Sequence, residues 1–423
     1  MMETVDVSPV CGALLEAGFR VRLVSFSALD RYFDRAPLPF ARLETSAGIA
    51  ELARLFEAVR FPGTAVAAAA LDIDGGTCYF TPAEDARPAA FGILSLTWDP
   101  DTRRFYDPWG VYPVIRALRD GQPPSFFPAS GASWWTDRAD ASGGWAEIMD
   151  AALILSRYDG GDDEDGIAGE RTIADIASVL HRPAPGRVPE NETLRVLLVS
   201  LMLSPRPGRG LELLRQTGFL ETVWPVLAAL DRVEQSKEHH PEGNVWNHTR
   251  ETFRYRKPAP GGTWDLRLSL ALLFHDAGKP LAAPSGGRRF DGHAELGARE
   301  ARHFLERLGF DPALAADVAF LVKNHMLPAA LPRLPAARVA GIIDSPLFPA
   351  LLELYRCDES SSFKGLDGYY ESSAFYQAYV RGRRNPFVDE RGMGGQGDFK
   401  RGAKKGAVRG PVRGGRRAAR FRG

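Results

Sequence analysis

The sequence predicts an α+β protein: a mixed head of short strands and helices, followed by a chain that is helical throughout. Three observations carry this. Up to about residue 110, short β-like runs alternate with helical ones; from Trp145 onward, apolar residues recur at helical spacing almost without exception. Between them, residues 120–145 are rich in Pro, Ser and Gly, a composition that suits neither period. A chain of 423 residues has room for two or three domains on a prior of roughly 100–200 residues each.

In the head, Arg20–Phe26 alternates like a half-buried strand and Ile49–Val59 has helical spacing. Thr64–Ala70 and Gly76–Phe80 read as a hairpin-like pair around Asp74-Gly75. Phe91–Thr97 reads as a further strand before the turn Asp99-Pro100-Asp101. In the helical part, Asp159–Asp165 is an acidic surface loop. Glu192–Leu203 and Gly210–Leu230 are amphipathic helices separated by the breaker Pro205-Arg206-Pro207. The expected divisions are a head over 1–120, a linker over 121–144, a helical neck over 145–230, a histidine-rich helical unit over 231–389 and a tail over 390–423.

Candidate chemistry lies in the histidine-rich unit. Leu266–Pro280 runs apolar for nearly three turns and ends with His275 and Asp276 side by side, before the helix-stopping Gly278. A helix buried on most sides has no packing reason to end on an imidazole next to a carboxylate. Burying either group unpaired costs several kcal/mol, and a metal ion would compensate both. Seven of the eight histidines fall between residues 239 and 325. Taken singly, each would more often be an ordinary hydrogen-bonded residue than a ligand, so helix phase is used to sort them.

In Ser345–Ser360, Asp358 falls within the apolar arc at about 100° per residue. The face Leu314, Val318, Leu321, Val322 continues to His325, and His293 sits at the edge of the apolar face of Ala294–Leu308. His303 points roughly opposite and is surface decoration; His239 and His240, in a polar run, are solvated or near the site mouth. His248, His275, Asp276, His293, His325 and Asp358 therefore form the candidate metal-ligand set. Imidazole and carboxylate without thiolate suit Mn, Fe, Ni, Co, Zn or Mg, one ion or two. Asp276 and Lys279 are the candidate catalytic residues: a metal ion lowers the pKa of bound water and polarises a phosphoryl oxygen, and Lys279 is placed to hold a phosphate.

The net charge of zero hides an asymmetry. Residues 391–423 hold eleven Lys or Arg against Asp398, so the tail carries +10 and the rest −10. Such a Gly-rich basic thread cannot bury a core. It is either a solvated tail or an electrostatic contact for RNA, with Arg409, Arg413, Arg416 and Arg417 as candidate contacts. No stretch approaches the roughly 18 uninterrupted apolar residues of a membrane span, and Glu3 and Asp6 replace the basic start of a secretory signal. Three scattered cysteines fit a reducing compartment, so a cytoplasmic location is expected.

The order His248, His275-Asp276, Asp358 resembles the HD superfamily of metal-dependent phosphohydrolases, in which these four positions bind metal. His293 and His325 match the extra histidines of HD proteins that hold two metals; the resemblance makes Asp276 the bridging ligand and matches Lys279 to the Lys of the HDxGK form. More widely, Gly210–Leu230, the Gln235–Thr249 approach and the HD region resemble bacterial tRNA nucleotidyltransferases and poly(A) polymerases with a C-terminal HD domain. In the head, Leu15–Val24, Phe61-Pro62-Gly63-Thr64 and Phe91–Gly110 follow the same pattern. This implies a nucleotidyltransferase-like head, an all-α neck, an all-α HD domain, and nucleotide or RNA, including tRNA, as partner, without a membrane.

The head departs from that family at four motifs. Ser25 and Phe26 stand where a Gly-Gly pair would hold the triphosphate, and Phe40 and Arg42 where two carboxylates would hold metal. Ala89 and Ala90 replace an Arg-Asp. In the helix that reads the nucleobase, Asp150 matches, but Met149 and Leu153 replace a Glu and an Arg. The leading expectation is therefore a phosphohydrolase or phosphodiesterase of the HD type, acting on a nucleotide or an RNA terminus, on a scaffold whose transferase site is lost. The alternatives are a CCA-adding tRNA nucleotidyltransferase or poly(A) polymerase, and a non-catalytic RNA-binding protein.

Overall fold

The computed structural model describes residues 5–62, 67–83, 92–108, 110–120, 145–158, 167–180, 188–235, 243–282, 290–362 and 365–382. The expected linker, the acidic loop, His239, His240 and the four tail arginines lie outside these residues.

The head is built from α1 (Ser8–Glu16), β1 (Val21–Leu23), α2 (Phe26–Tyr32), β2 (Phe40–Thr45), α3 (Ile49–Leu55), β3 (Ala69–Ile73), β4 (Gly76–Pro82), β5 (Thr97–Asp99), β6 (Arg104–Tyr106) and α4 (Tyr112–Arg119). The sheet runs β3-β4-β2-β1-β5-β6, with β2 and β4 parallel and the other neighbours antiparallel. Strand alternation sets its two faces. Ala41, Leu43 and Thr45 of β2 are buried, with Ala41 and Leu43 in a core that includes Leu14 of α1 and Leu52 of α3. Phe40, Arg42 and Glu44 take the other face.

Several head elements differ from expectation. The helical run expected over Ile49–Val59 ends at Leu55, and the first hairpin strand, expected over Thr64–Ala70, is β3 over Ala69–Ile73, with residues 63–66 outside the described residues. The strand at Arg20–Phe26 stops at Leu23, because Phe26 already opens α2. The strand at Phe91–Thr97 is a 3₁₀ turn over Gly92–Ser95, with strand geometry starting at Thr97; Ile93, Leu94 and Leu96 are all buried, so burial there does not follow a two-residue period.

The rest is helical among the described residues: α5 (Trp145–Arg157), α6 (Ile167–Leu180), α7 (Asn191–Met202), α8 (Pro207–Gln216), α9 (Phe219–Val223), α10 (Pro225–Ala228), α11 (Val245–Thr252), α12 (Leu266–Phe274), α13 (His293–Arg307), α14 (Pro312–Asn324), α15 (Ala336–Ile343), α16 (Phe348–Ser360) and α17 (Asp367–Val380). The single helix expected over Gly210–Leu230 is broken twice: Gly218 takes a left-handed φ of 77°, and Pro225 restarts the chain as α10. One continuous core runs from Phe26 and Leu29 of the head through α5, α7 and α12 to Phe375 of α17. A buried ion pair crosses from the head to α5. The Arg157 guanidinium grips both Asp30 oxygens at 2.5 and 2.8 Å, and the Tyr158 hydroxyl donates to the same carboxylate at 2.6 Å.

Candidate metal centre

Each histidine of the site is aimed by its own backbone. Asn244 caps α11 by accepting from Asn247 N–H. On α11, Trp246 and Arg250 lie four residues apart and reach the buried Glu212 of α8, at 2.8 and 3.2 Å. His248, between them, is thereby turned the opposite way. Asp265 caps α12, whose residues Leu268–Phe274 are all buried, and the helix hands over to the turn that carries His275 and Asp276. His293 opens α13 and His325 closes α14.

The hydrogen bonds fix the tautomers. His275, His293 and His325 each donate from Nδ1 to the carbonyl three residues earlier: Leu272 at 2.8 Å, Phe290 at 2.7 Å and Val322 at 2.7 Å. Ser361 Oγ donates to the Asp358 carbonyl at 2.6 Å, so toward His248 Nδ1, 3.3 Å away, it accepts. In the neutral rings all four Nε2 atoms are then lone-pair donors, and they converge. His248 and His275 Nε2 lie 3.3 Å apart, as do His293 and His325 Nε2. Two acceptors cannot bond one another.

Asp276 sits between the pairs. Its Oδ2 is 3.3 Å from His275 Nε2 and 3.8 Å from His248 Nε2; its Oδ1 is 3.6 Å from His293 and 3.9 Å from His325. Asp358 Oδ1 adds a contact of 3.0 Å to His248. Two nitrogens 3.3 Å apart, each about 2.1 Å from a common ion, subtend roughly 105° there, an ordinary angle of tetrahedral coordination. The donor set fits a divalent cation: neutral imidazoles and two carboxylates turn their acceptors toward common points, where an ion would take the place of protons.

Charge tells the same story. Burial alone would raise the Asp276 carboxyl, but the Lys279 ammonium at 2.6 Å, then His275 and His248, hold it well below the usual carboxylate range. Burial, against the pull of Asp276, pushes His325 down to about 4 and keeps it neutral at pH 7. Lys279 turns inward, bound to Asp276 and to Gln235 Oε1 at 2.7 Å.

The structure thus brings together His248, His275, Asp276, His293, His325, Asp358 and Lys279, and leaves His303 exposed on α13. Sequence reasoning missed Ser361 and Gln235, which carry no motif, and misread Gly278. A β-carbon on Gly278 would lie 1.9 Å from the His293 carbonyl oxygen, so this glycine lets the turn after α12 touch the start of α13.

A second concavity lies between the sheet and the neck helices. Phe26, Phe40, Met149, Leu153 and Val196 are among its apolar walls, and Ser27, Arg42, Asp150, Thr193 and Ser200 are its polar groups. Burial raises the Asp150 carboxyl to about 6, with the nearby Arg42 opposing the shift.

The site lies within a stretch, residues 244–345, that matches the HD domain family. Parts of the chain are also similar to tRNA nucleotidyltransferases. The chain is 40% identical over 161 residues to the CC-adding tRNA nucleotidyltransferase of Thermus thermophilus, covering 37% of this chain and 35% of that protein. It is 38% identical over 126 residues to the multifunctional CCA protein of Halorhodospira halophila, 30% of this chain and 29% of that one. With the A-adding tRNA nucleotidyltransferase of Deinococcus radiodurans it shares 32% identity over 206 residues, 46% of this chain and 44% of that protein. The chain thus matches between 29% and 44% of the length of these relatives.

These relatives overturn the leading expectation from the sequence, a phosphohydrolase on a scaffold whose transferase site is lost. Proteins named for CC addition, A addition and CCA synthesis support the alternative, nucleotidyl transfer. The expectation set four substituted motifs in the head above the resemblance to tRNA nucleotidyltransferases that the same sequence carries. Among the described residues, no helix is long and apolar enough to cross a membrane.

Proposed function

We propose that the chain is an enzyme of tRNA 3′-end synthesis, adding C or A from CTP or ATP to a tRNA terminus. The observation that carries this is the similarity of the chain to CC-adding and A-adding tRNA nucleotidyltransferases. The cleft between sheet and neck supports the reading as a place for a nucleotide. Phe26, Phe40 and Met149 offer apolar contact to a base, Arg42 a charge for phosphate, and Asp150 a carboxyl for a base edge. Phe40 and Arg42 themselves do not fit a divalent ion, and Asp150 is the carboxylate that lines the cleft.

We read His248, His275, Asp276 and Asp358 as ligands of one divalent ion in the HD centre, and Asp276, His293 and His325 as ligands of a second. Imidazole and carboxylate donors admit Mn, Fe, Ni, Co, Zn or Mg. An ion held there supplies a Lewis acid and acidifies bound water. The chain's own part is to fix four imidazoles by their Nδ1 partners and to keep Lys279 beside Asp276. The HD centre over 231–389 and the neck over 145–230 would then serve a head over 1–120.

The deciding experiment is incorporation of labelled CTP or ATP into tRNA transcripts that lack CCA, CA or A, with Mg²⁺ or Mn²⁺. Extension by one to three nucleotides is expected. No extension of any transcript with either metal sinks the proposal.

A further inference from the structure

We propose that Thr193 is a specificity-determining residue of the cleft between sheet and neck, its hydroxyl donating to the ring nitrogen of a base that carries an amino group. The inference rests on the reading of this cleft as a nucleotide site and adds to it the residue that sorts the bases.

Three elements build the wall. Phe40 and Arg42 stand two apart on β2 and so share one face of the sheet. Asp150 and Leu153 come from α5, and Thr193, Val196, Leu197 and Ser200 form one stripe along α7. The first turn of α7 is tied down on both sides of Thr193. Glu192 Oε1 accepts from Arg60 at 2.9 Å and from the Tyr79 hydroxyl at 3.1 Å, and Tyr79 stands opposite Arg42 in the register of β4 against β2. Asn191 Nδ2 donates to Arg307 O at 2.9 Å and Arg195 to Gly309 O at 2.7 Å. Thr193 is therefore held in the wall by its neighbours.

Its hydroxyl, by contrast, is held by nothing. Thr193 is 7% exposed, and its Oγ1 is the one buried side-chain oxygen without a hydrogen-bond partner among the described residues that line the cleft. Elsewhere in the neck, buried helical hydroxyls return to a carbonyl four residues earlier, Ser156 to Ala152 and Thr217 to Leu213, both at 2.8 Å. Thr193, the third residue of α7, makes no such bond. A hydroxyl kept dry and unpaired destabilises the fold, and valine would fill the same space without that cost. A ligand that bonds to the hydroxyl gives the threonine a purpose.

The carboxylate in the same cleft narrows the ligand. Burial raises the half-buried Asp150 to about 6, so at pH 7 it is ionised and only accepts. Adenine and cytosine present an amino donor beside a ring nitrogen that accepts; uracil and hypoxanthine present a carbonyl beside a ring N–H. An accepting carboxylate and a donating hydroxyl match the first order. The second sets oxygen against oxygen, and sites built from buried hydrogen-bonding groups reject ligands that leave them unpaired.

The test is calorimetric titration of the full chain with ATP, CTP, UTP and ITP in Mg²⁺, without tRNA. The unmodified chain should bind ATP or CTP at least about tenfold more tightly than UTP and ITP. Thr193→Val, which keeps the shape, should weaken the tighter binding by about tenfold and leave UTP and ITP unchanged. Thr193→Ser should keep the discrimination. In urea, Thr193→Val should be at least as stable as the unmodified chain, because an unpaired hydroxyl leaves the interior. Should Thr193→Val not fold, Thr193→Ala should show the same loss of discrimination. A variant with the nucleotide preference of the unmodified chain overturns the proposal. So does an unmodified chain that binds none of the four or binds them equally. A destabilised variant whose binding falls equally for all four would make Thr193 structural, and overturns it as well. Failure here is distinct from failure of nucleotidyl transfer. A chain that extends tRNA while Thr193→Val keeps its preference loses only this residue; a chain that sorts the bases through Thr193 without extending tRNA keeps it.

Discussion

Gly278 and His293 meet backbone to backbone: a β-carbon on Gly278 would stand 1.9 Å from the His293 carbonyl oxygen and 2.5 Å from the amide nitrogen of Gly297. Neither contact involves a flexible side chain, so Gly278→Ala must push the turn after α12 away from α13. That move separates Asp276 from His293 first and leaves His248 and His275 nearly in place. The variant should fold with a loss of about 1–3 kcal/mol and bind one metal ion fewer per chain than the unmodified protein. Metal analysis after equilibrium dialysis, with a urea titration alongside, checks both; unchanged stability and metal content would contradict the close approach.

Asp276 is shared by both imidazole pairs, one through each oxygen. Asp276→Asn keeps the size and removes the charge, and should abolish binding at both sites. His293→Ala should remove only one ion. Asp358→Ala should weaken the site at His248, and Ser361→Ala, which removes the acceptor for His248 Nδ1–H, should do so by about 10–100-fold. Titration with Mn²⁺ or Ni²⁺ reads stoichiometry and affinity directly; two ions retained in Asp276→Asn would refute the bridging arrangement.

The ion pair of Asp30 with Arg157 ties α2 to α5 where both side chains are almost wholly buried. Breaking one side leaves a buried charge alone, so Arg157→Met should cost about 3–5 kcal/mol. The double change Asp30→Leu, Arg157→Met removes both charges and should recover much of that loss, although Tyr158 then keeps only its longer bond to Phe26 O, at 3.3 Å. Denaturation of the three variants forms a double-mutant cycle. A double variant as unstable as the sum of the singles would show that the pair acts through shape rather than charge.

What was legible in the sequence had a local period or a motif. The α+β layout, the turn of the β3–β4 hairpin at Asp74-Gly75 and the inward phase of Asp358 and His325 all follow from local spacing. What was not legible depends on contacts between distant segments. Gly278 reads as a helix stop, because nothing local announces the backbone of residue 293 beside it. Gly92–Ser95 reads as a strand because three apolar residues within four are buried whether the backbone extends or coils. Functional inference failed for a different reason: substituted positions in the head were set above the resemblance to nucleotide-adding proteins, and the relatives support the resemblance.

Glu212 gives the protein a specific acid response. It is buried on α8, where burial opposes its charge, yet hydrogen bonds from Arg215, the charge of Arg250 and the Trp246 and Gln216 N–H donors bring it down to about 2 from an ordinary 4.5. Because the folded value is depressed, the stabilisation is fully present above pH 4.5 and drains as pH falls toward 2. A shift of this size corresponds to at most about 3 kcal/mol. Glu212→Gln should therefore be less stable than the unmodified chain at pH 7, with the gap closing as the pH is lowered from about 5 to 3. Unfolding by urea across that range measures it. Since Trp246 and Arg250 turn His248 inward from the opposite side of α11, the same variant should also weaken metal binding at pH 7. A gap that stays constant with pH would assign the role of Glu212 to packing alone.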